Sequence, residues 1–173
     1  MTQTDDLLAN NARYASERFA GMRPLRPARA MAIVACMDSR MDLFEMLGLA
    51  SGDAHVLRNA GGVITDDVIR SLVLSQRAMG TRTIVLIHHT DCGLSKVSED
   101  ELREQLEAET GFRPTWAFDA FRDPFEDVRQ SIRRLRANPF VVHAEDIRGF
   151  VYEVETGRLH EVEQESAGGE PAA

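Results

Sequence analysis

Met31-Ala32-Ile33-Val34-Ala35-Cys36-Met37-Asp38-Ser39-Arg40 joins an apolar, largely β-branched run to an abrupt polar cluster. A run of this kind reads as a buried strand of a parallel sheet, covered on both faces. The pattern returns at Thr83-Ile84-Val85-Leu86-Ile87, followed by His88-His89-Thr90-Asp91-Cys92-Gly93. Both polar clusters therefore fall at the carboxyl ends of strands, the edge at which open α/β sheets place their ligands. Between them they hold both cysteines of the chain.

Two thiols and an imidazole brought to one sheet edge suit zinc, which favours sulfur and nitrogen donors in tetrahedral array. His89-x-x-Cys92 puts two donors on one tight turn, with Cys36 arriving from a neighbouring strand. The alternative is that Cys36 and Cys92 are small buried hydrophobes, as free cysteines often are. Asp38, Arg40, His89 and Asp91 would then be costly polar company, so metal ligation is the better reading. His88 competes with His89 as ligand, but strand alternation turns His88 to the opposite face, where packing or a hydrogen bond is expected. Asp38 is placed to accept a hydrogen bond beside the metal, and Arg40 to keep it ionised by a charge-assisted contact.

Cys-x-Asp-Ser-Arg at Cys36–Arg40, then His-x-x-Cys-Gly some fifty residues later, resembles the β-class carbonic anhydrases. The stretch Val56-Leu57-Arg58-Asn59-Ala60-Gly61-Gly62 is similar to the family's segment between its two ligand motifs, and the likeness runs from about Leu25 to Val154. The resemblance implies a Rossmann-like, three-layer α/β fold: a mostly parallel central sheet of four strands plus an added edge strand, with helices on both faces. It implies Zn2+ on Cys36, His89 and Cys92, and reversible hydration of carbon dioxide to bicarbonate and a proton by zinc-bound hydroxide. Asp38 and Arg40 would be the catalytic pair; in some relatives the Asp swings onto zinc when the Arg lets go. Relatives that hold a regulatory bicarbonate carry a tryptophan where this chain has Ile33. A homo-oligomer, dimer or tetramer, with the N-terminal helix packed on a partner, is also implied. Hydrolysis of carbonyl sulfide or carbon disulfide on the same site is one alternative. A non-catalytic zinc- or bicarbonate-binding module is another, which the intact Asp38 and Arg40 disfavour.

A chain of 173 residues suits one domain over residues 1–173, with a helical arm at about 4–20 and a disordered tail at about 166–173. A net charge of -8 argues against nucleic acid, whose phosphates need concentrated positive charge. The opening Met1-Thr2-Gln3-Thr4-Asp5-Asp6-Leu7 has neither the basic nor the apolar region of an export signal, and no apolar run is long enough to span a membrane. A cytoplasmic protein with reduced thiols is expected.

In chain order, Thr4 or Asp5 is expected to cap a helix reaching about Ala20, with Leu7, Leu8 and Phe19 on one face. Strands follow at residues 30–36, 55–59 and 83–88, then at 140–142, 149–155 and 159–162. Asp42, Thr65, Ser98 and Asp123 read as helix starts, and Gly48 and Gly80 as helix ends. Gly61 or Gly62 is expected to let the backbone approach substrate, and Gly93 to give room beside the metal. Ser39 and Asp91 are expected to brace their loops. His55 and His143 are candidate proton relays, with a surface or core role as the default.

Overall fold

The computed structural model describes residues 2–163; the tail expected from residue 166 onward lies outside the described residues. Five strands form one mixed sheet in the order β2-β1-β3-β4-β5. They are β1 (Met31–Cys36), β2 (Ala54–Asn59), β3 (Thr83–His89), β4 (Ile147–Glu153) and β5 (Arg158–Glu161). The first four are mutually parallel, and β5 returns antiparallel along β4 as the added edge.

Helices take the sequences between strands wherever a side chain can satisfy the first orphan backbone N–H groups. Asp42 caps α2 (Leu43–Leu47), Thr65 caps α3 (Asp66–Met79), Ser98 caps α4 (Glu99–Thr110) and Asp123 caps α5 (Pro124–Arg136). Gly48, Gly80 and Gly111 end α2, α3 and α4 in the left-handed conformation. Strand alternation then sorts two cores. Ala32, Val34, Ile84 and Leu86 pack against Val68 and Leu72 of α3 and Val128, Ile132 and Leu135 of α5. Ile33, Ala35 and Ile87 face the other way, against Met41, Leu43, Val63, Leu94 and Phe121. Each fully buried aliphatic side chain contributes about 1.5–3 kcal/mol, so both faces of the sheet are fixed by burial.

Two expectations are corrected. Phe140–Val142 is not a strand: the Val142 and His143 N–H groups donate to the Gln76 side-chain oxygen, at 2.9 and 3.4 Å. A buried amide on α3 thus takes the donors that a neighbouring strand would have used. The N-terminal helix α1 (Gln3–Arg13) starts earlier than expected, because Thr2 and Asp5 form a reciprocal capping box. It widens into a π turn over Tyr14–Arg18, and neither segment buries a residue. Leu7, Leu8 and Phe19 are each more than half exposed. No helix among the described residues is long and apolar enough to cross a membrane.

Candidate metal centre

From β1 the chain steps to β2 on one side, then crosses back to lay β3 on the other side. The carboxyl ends of β1 and β3 therefore flank a topological switch point, where the connecting segments diverge and leave a crevice. Cys36 ends β1 and His89 ends β3. Asp91 takes a left-handed conformation (φ 54°), which Asp tolerates better than most residues, and so returns Cys92 toward His89. A short turn, Gly93–Lys96, follows, and Ser95 holds the Cys92 carbonyl through its Oγ at 2.7 Å.

The donor atoms of Cys36, His89 and Cys92 all lie within 4.8 Å of one another, and all three residues are buried. The two sulfurs are 3.9 Å apart, against about 3.8 Å for two thiolates sharing one tetrahedral zinc. His89 donates from Nδ1 to the Thr90 carbonyl at 2.9 Å. That bond fixes the tautomer and leaves a lone pair on Nε2, which is buried without a hydrogen-bond partner. An orphaned imidazole nitrogen beside two sulfurs is what a nitrogen-and-sulfur metal site requires. The electrostatics agree. A hydrogen bond from Cys92 pulls Cys36 toward the thiolate, while Cys92, facing that charge and buried, is pushed up. Burial pulls His89 down, but the Cys36 sulfur, the Thr90 carbonyl and the Asp38 charge together outweigh it, and the imidazole is raised overall. Two adjacent thiolates need a divalent cation, since like charges at this distance cannot both ionise alone.

Asp38 stands beside this group, its Oδ2 3.7 Å from His89 Nε2. Arg40 grips both carboxylate oxygens, from Nε to Oδ1 at 3.0 Å and from Nη2 to Oδ2 at 2.7 Å, and its backbone N–H also donates to Oδ1. The Arg40 hydrogen bonds hold Asp38 well below the usual carboxylate range, despite some burial. Arg40 also donates to the Asp91 carboxylate at 2.9 Å and to its carbonyl at 3.1 Å, and Lys96 pairs with the same carboxylate. Asp91 thus braces the two loops against each other, as expected of it. Ser39 is exposed and makes no hydrogen bond among the described residues.

Gly61 and Gly62 have φ of +80° and +74°. A side chain at either position would run into other parts of the protein. A Cβ on Gly62 would lie 2.8 Å from the Cys36 nitrogen and 3.0 Å from the Ala35 carbonyl carbon; on Gly61 it would meet Leu94 and Phe121. Gly93 has nothing within 4 Å of such a Cβ.

His88 is fully buried on the opposite face, bonded through Nε2 to Asp127 of α5 at 2.6 Å and packed on Phe121. His55 pairs with Ala32 at the amino end of β2, and its Nδ1 contacts Ser75 Oγ at 2.7 Å. It lies at the wrong end of the sheet for a proton relay. His143 precedes β4, 3.5 Å from Glu145. Sequence reasoning missed the role of Arg58, whose guanidinium spans three loop carbonyls. Its place in the Arg-Asn-Ala-Gly segment was the only available signal.

The family model described as carbonic anhydrase matches residues 31–159. The chain is 56% identical over 162 residues to beta-carbonic anhydrase 1 of Mycobacterium tuberculosis, covering 94% of this chain and 99% of that one. A carbonic anhydrase structure from Streptococcus mutans superposes with a TM-score of 0.88 at 43% identity, covering 94% and 99% of the two chains. A carbon disulfide hydrolase of Acidianus is 33% identical, covering 79% of this chain and 78% of that one.

Proposed function

The chain belongs to the β-class carbonic anhydrase family, and on that premise we propose that Cys36, His89 and Cys92 hold its zinc while Asp38 and Arg40 direct the chemistry beside it. The reaction is the reversible hydration of carbon dioxide to bicarbonate and a proton. Zinc, when bound, lowers the pKa of a coordinated water toward about 7 and so supplies a nucleophile without strong base.

Three protein donors leave one tetrahedral position for that chemistry. Asp38 would orient the nucleophile by accepting a hydrogen bond from it. Because Arg40 keeps the carboxylate ionised throughout the neutral range, Asp38 is a poor store for a proton and serves as a fixed acceptor. Arg40 also restrains Asp38 in space, since a carboxylate with both oxygens engaged is held back from the metal donors. Asp91 and Lys96 hold Arg40 in turn.

The observation that carries this reading is the buried, unpartnered His89 Nε2, set within reach of two thiols and an Arg-clamped carboxylate. Neither a structural zinc site nor a bicarbonate-binding module has a use for that clamp. The test is stopped-flow carbon dioxide hydration across pH, with zinc stoichiometry measured on the same sample. Sulfide release from carbon disulfide or carbonyl sulfide addresses the alternative that the Acidianus relative raises; sulfide release without carbon dioxide hydration would sink the assignment.

The chain is further proposed to act as a homo-oligomer, a dimer or tetramer, in the cytoplasm. The unburied apolar stripe of Leu7, Leu8 and Phe19 supports the first, and two adjacent thiols that must stay reduced support the second.

A further inference from the structure

Among the described residues, Arg58 is the side chain that reaches across the loop carrying both a metal donor and the catalytic carboxylate. It projects from the edge strand β2 and donates to three backbone carbonyls: Cys36 from Nε at 2.9 Å, Met41 from Nη1 at 3.1 Å, and Asp38 from Nη2 at 2.6 Å. Each of its three nitrogens therefore has a separate acceptor, all on residues 36–41. Apart from the Arg40 contacts with Asp91, two backbone bonds tie the rest of that loop. The Met37 N–H donates to the Asn59 carbonyl at 2.8 Å and the Met41 N–H to the Asp38 carbonyl at 3.1 Å.

We propose that Arg58 is a positioning residue for the reaction: by gripping the Cys36, Asp38 and Met41 carbonyls it sets the backbone of the Cys36–Met41 loop, and so the bearing of the Asp38 carboxylate on the metal donors. Two arginines divide the work. Arg40 fixes the Asp38 side chain and, through the Asp91 carboxylate and carbonyl, ties its own end of the loop to the turn after β3. Arg58 fixes that loop relative to the sheet, whose strand β3 carries His89. Without the second grip, the Asp38 backbone would be held only from its Arg40 end, and the carboxylate would lose its bearing on the nucleophile. A planar guanidinium with donors on three nitrogens can hold three diverging carbonyls; an ammonium, a point donor on a flexible stem, cannot reproduce that fork.

The inference rests on the zinc hydratase reading above, and the experiment separates the two. Arg58→Lys, Arg58→Met, Asp38→Asn and the double variant Arg58→Met/Asp38→Asn are compared with the parent for zinc content, melting temperature and hydration kinetics. If the parent itself fails to hydrate carbon dioxide, the functional reading fails, and Arg58 is not at issue. With an active parent, Arg58→Met should keep one zinc per chain and lose roughly 10- to 100-fold in kcat, the range seen when residues supporting metal ligands are removed. Arg58→Lys should recover at most a small part. The decisive readout is coupling. If Arg58 acts through Asp38, adding Arg58→Met to Asp38→Asn should cost less than about 3-fold more, because residues acting as a unit are not additive. X-ray absorption at the zinc edge should report an altered light-atom shell in Arg58→Met with the sulfur shell unchanged. Losses that multiply in the double variant, full rescue by Lys, or parent-like kcat in Arg58→Met would each overturn the proposal. Should Arg58→Met fail to fold, the same cycle run with Arg58→Lys decides it.

Discussion

Gly62→Ala is the most demanding test of how the site is built. The added methyl meets the Cys36 nitrogen at 2.8 Å, the Ala35 carbonyl carbon at 3.0 Å and the Ile87 carbonyl oxygen at 3.2 Å. All three are backbone atoms of the paired strands β1 and β3, so no side-chain rotation relieves the contact. Relief requires spreading the two strands where the metal donors sit. Holding a non-glycine residue at φ +74° costs about 1–2 kcal/mol, and overpacking against a rigid neighbour about 1–3 kcal/mol more. The reduced freedom of the unfolded chain returns about 0.4–1 kcal/mol. The net loss is therefore roughly 3 kcal/mol, a fall of about 10 °C in melting temperature for a chain of this size. Gly93→Ala is the control: nothing lies within 4 Å of its Cβ, and it should change stability by less than about 0.5 kcal/mol. Urea denaturation and calorimetry measure both, with zinc content read alongside. If Gly62→Ala melted within about 2 °C of the parent and kept full zinc, the argument from close backbone approach would be wrong.

Arg40→Ala should keep zinc and lose about 10- to 100-fold in rate, because the freed Asp38 takes the open position on the metal; zinc-edge absorption showing no added oxygen, with parent-like rates, would refute this. His89→Ala should lose zinc. His88→Ala should retain it and be destabilised by about 1–3 kcal/mol through the lost Asp127 bond, and the reverse pattern of metal loss would overturn the choice of ligand. Activity should rise with pH through one ionisation near neutrality, and Asp38 should add no second step there. Its folded pKa is depressed, so the stability it contributes is present above its unfolded value of about 4 and is lost as pH falls toward the folded value. The parent's stability advantage over Asp38→Asn should therefore shrink as pH falls below about 4; an advantage that grew with acid would have the wrong sign. Deleting residues 2–18 should yield a species of lower mass by sedimentation; unchanged mass would remove the N-terminal arm from the assembly.

What could be read from sequence alone was what short-range chemistry decides. The caps Asp42, Thr65, Ser98 and Asp123 and the glycine stops Gly48 and Gly80 satisfy backbone groups within a few residues, so their local signals sufficed. The apolar runs of β1 and β3 were equally plain, and with them the placing of Cys36, His89 and Cys92 at strand ends. Phe140–Val142 misled because its β-branched residues match a strand. Whether such residues pair with a neighbouring backbone or with Gln76, some 66 residues away, is a tertiary choice with no local mark. Arg58 escaped for the same reason: its three acceptors lie on a loop that only strand pairing brings beside it. The glycines showed where the backbone is crowded, but not whether protein or substrate does the crowding.

The separation of the donors along the chain bears on the order of events during folding. Cys36 and Cys92 are 56 residues apart, and no two donors on one strand suffice for the site. Closing a loop of that length costs entropy before any contact rewards it, and β1 must find β3 across the whole β2–α3 excursion. The His89–Cys92 turn alone offers two donors, too few to anchor a zinc ion firmly. Metal capture is therefore expected to follow β1–β3 pairing, so that zinc should slow unfolding more than it speeds folding.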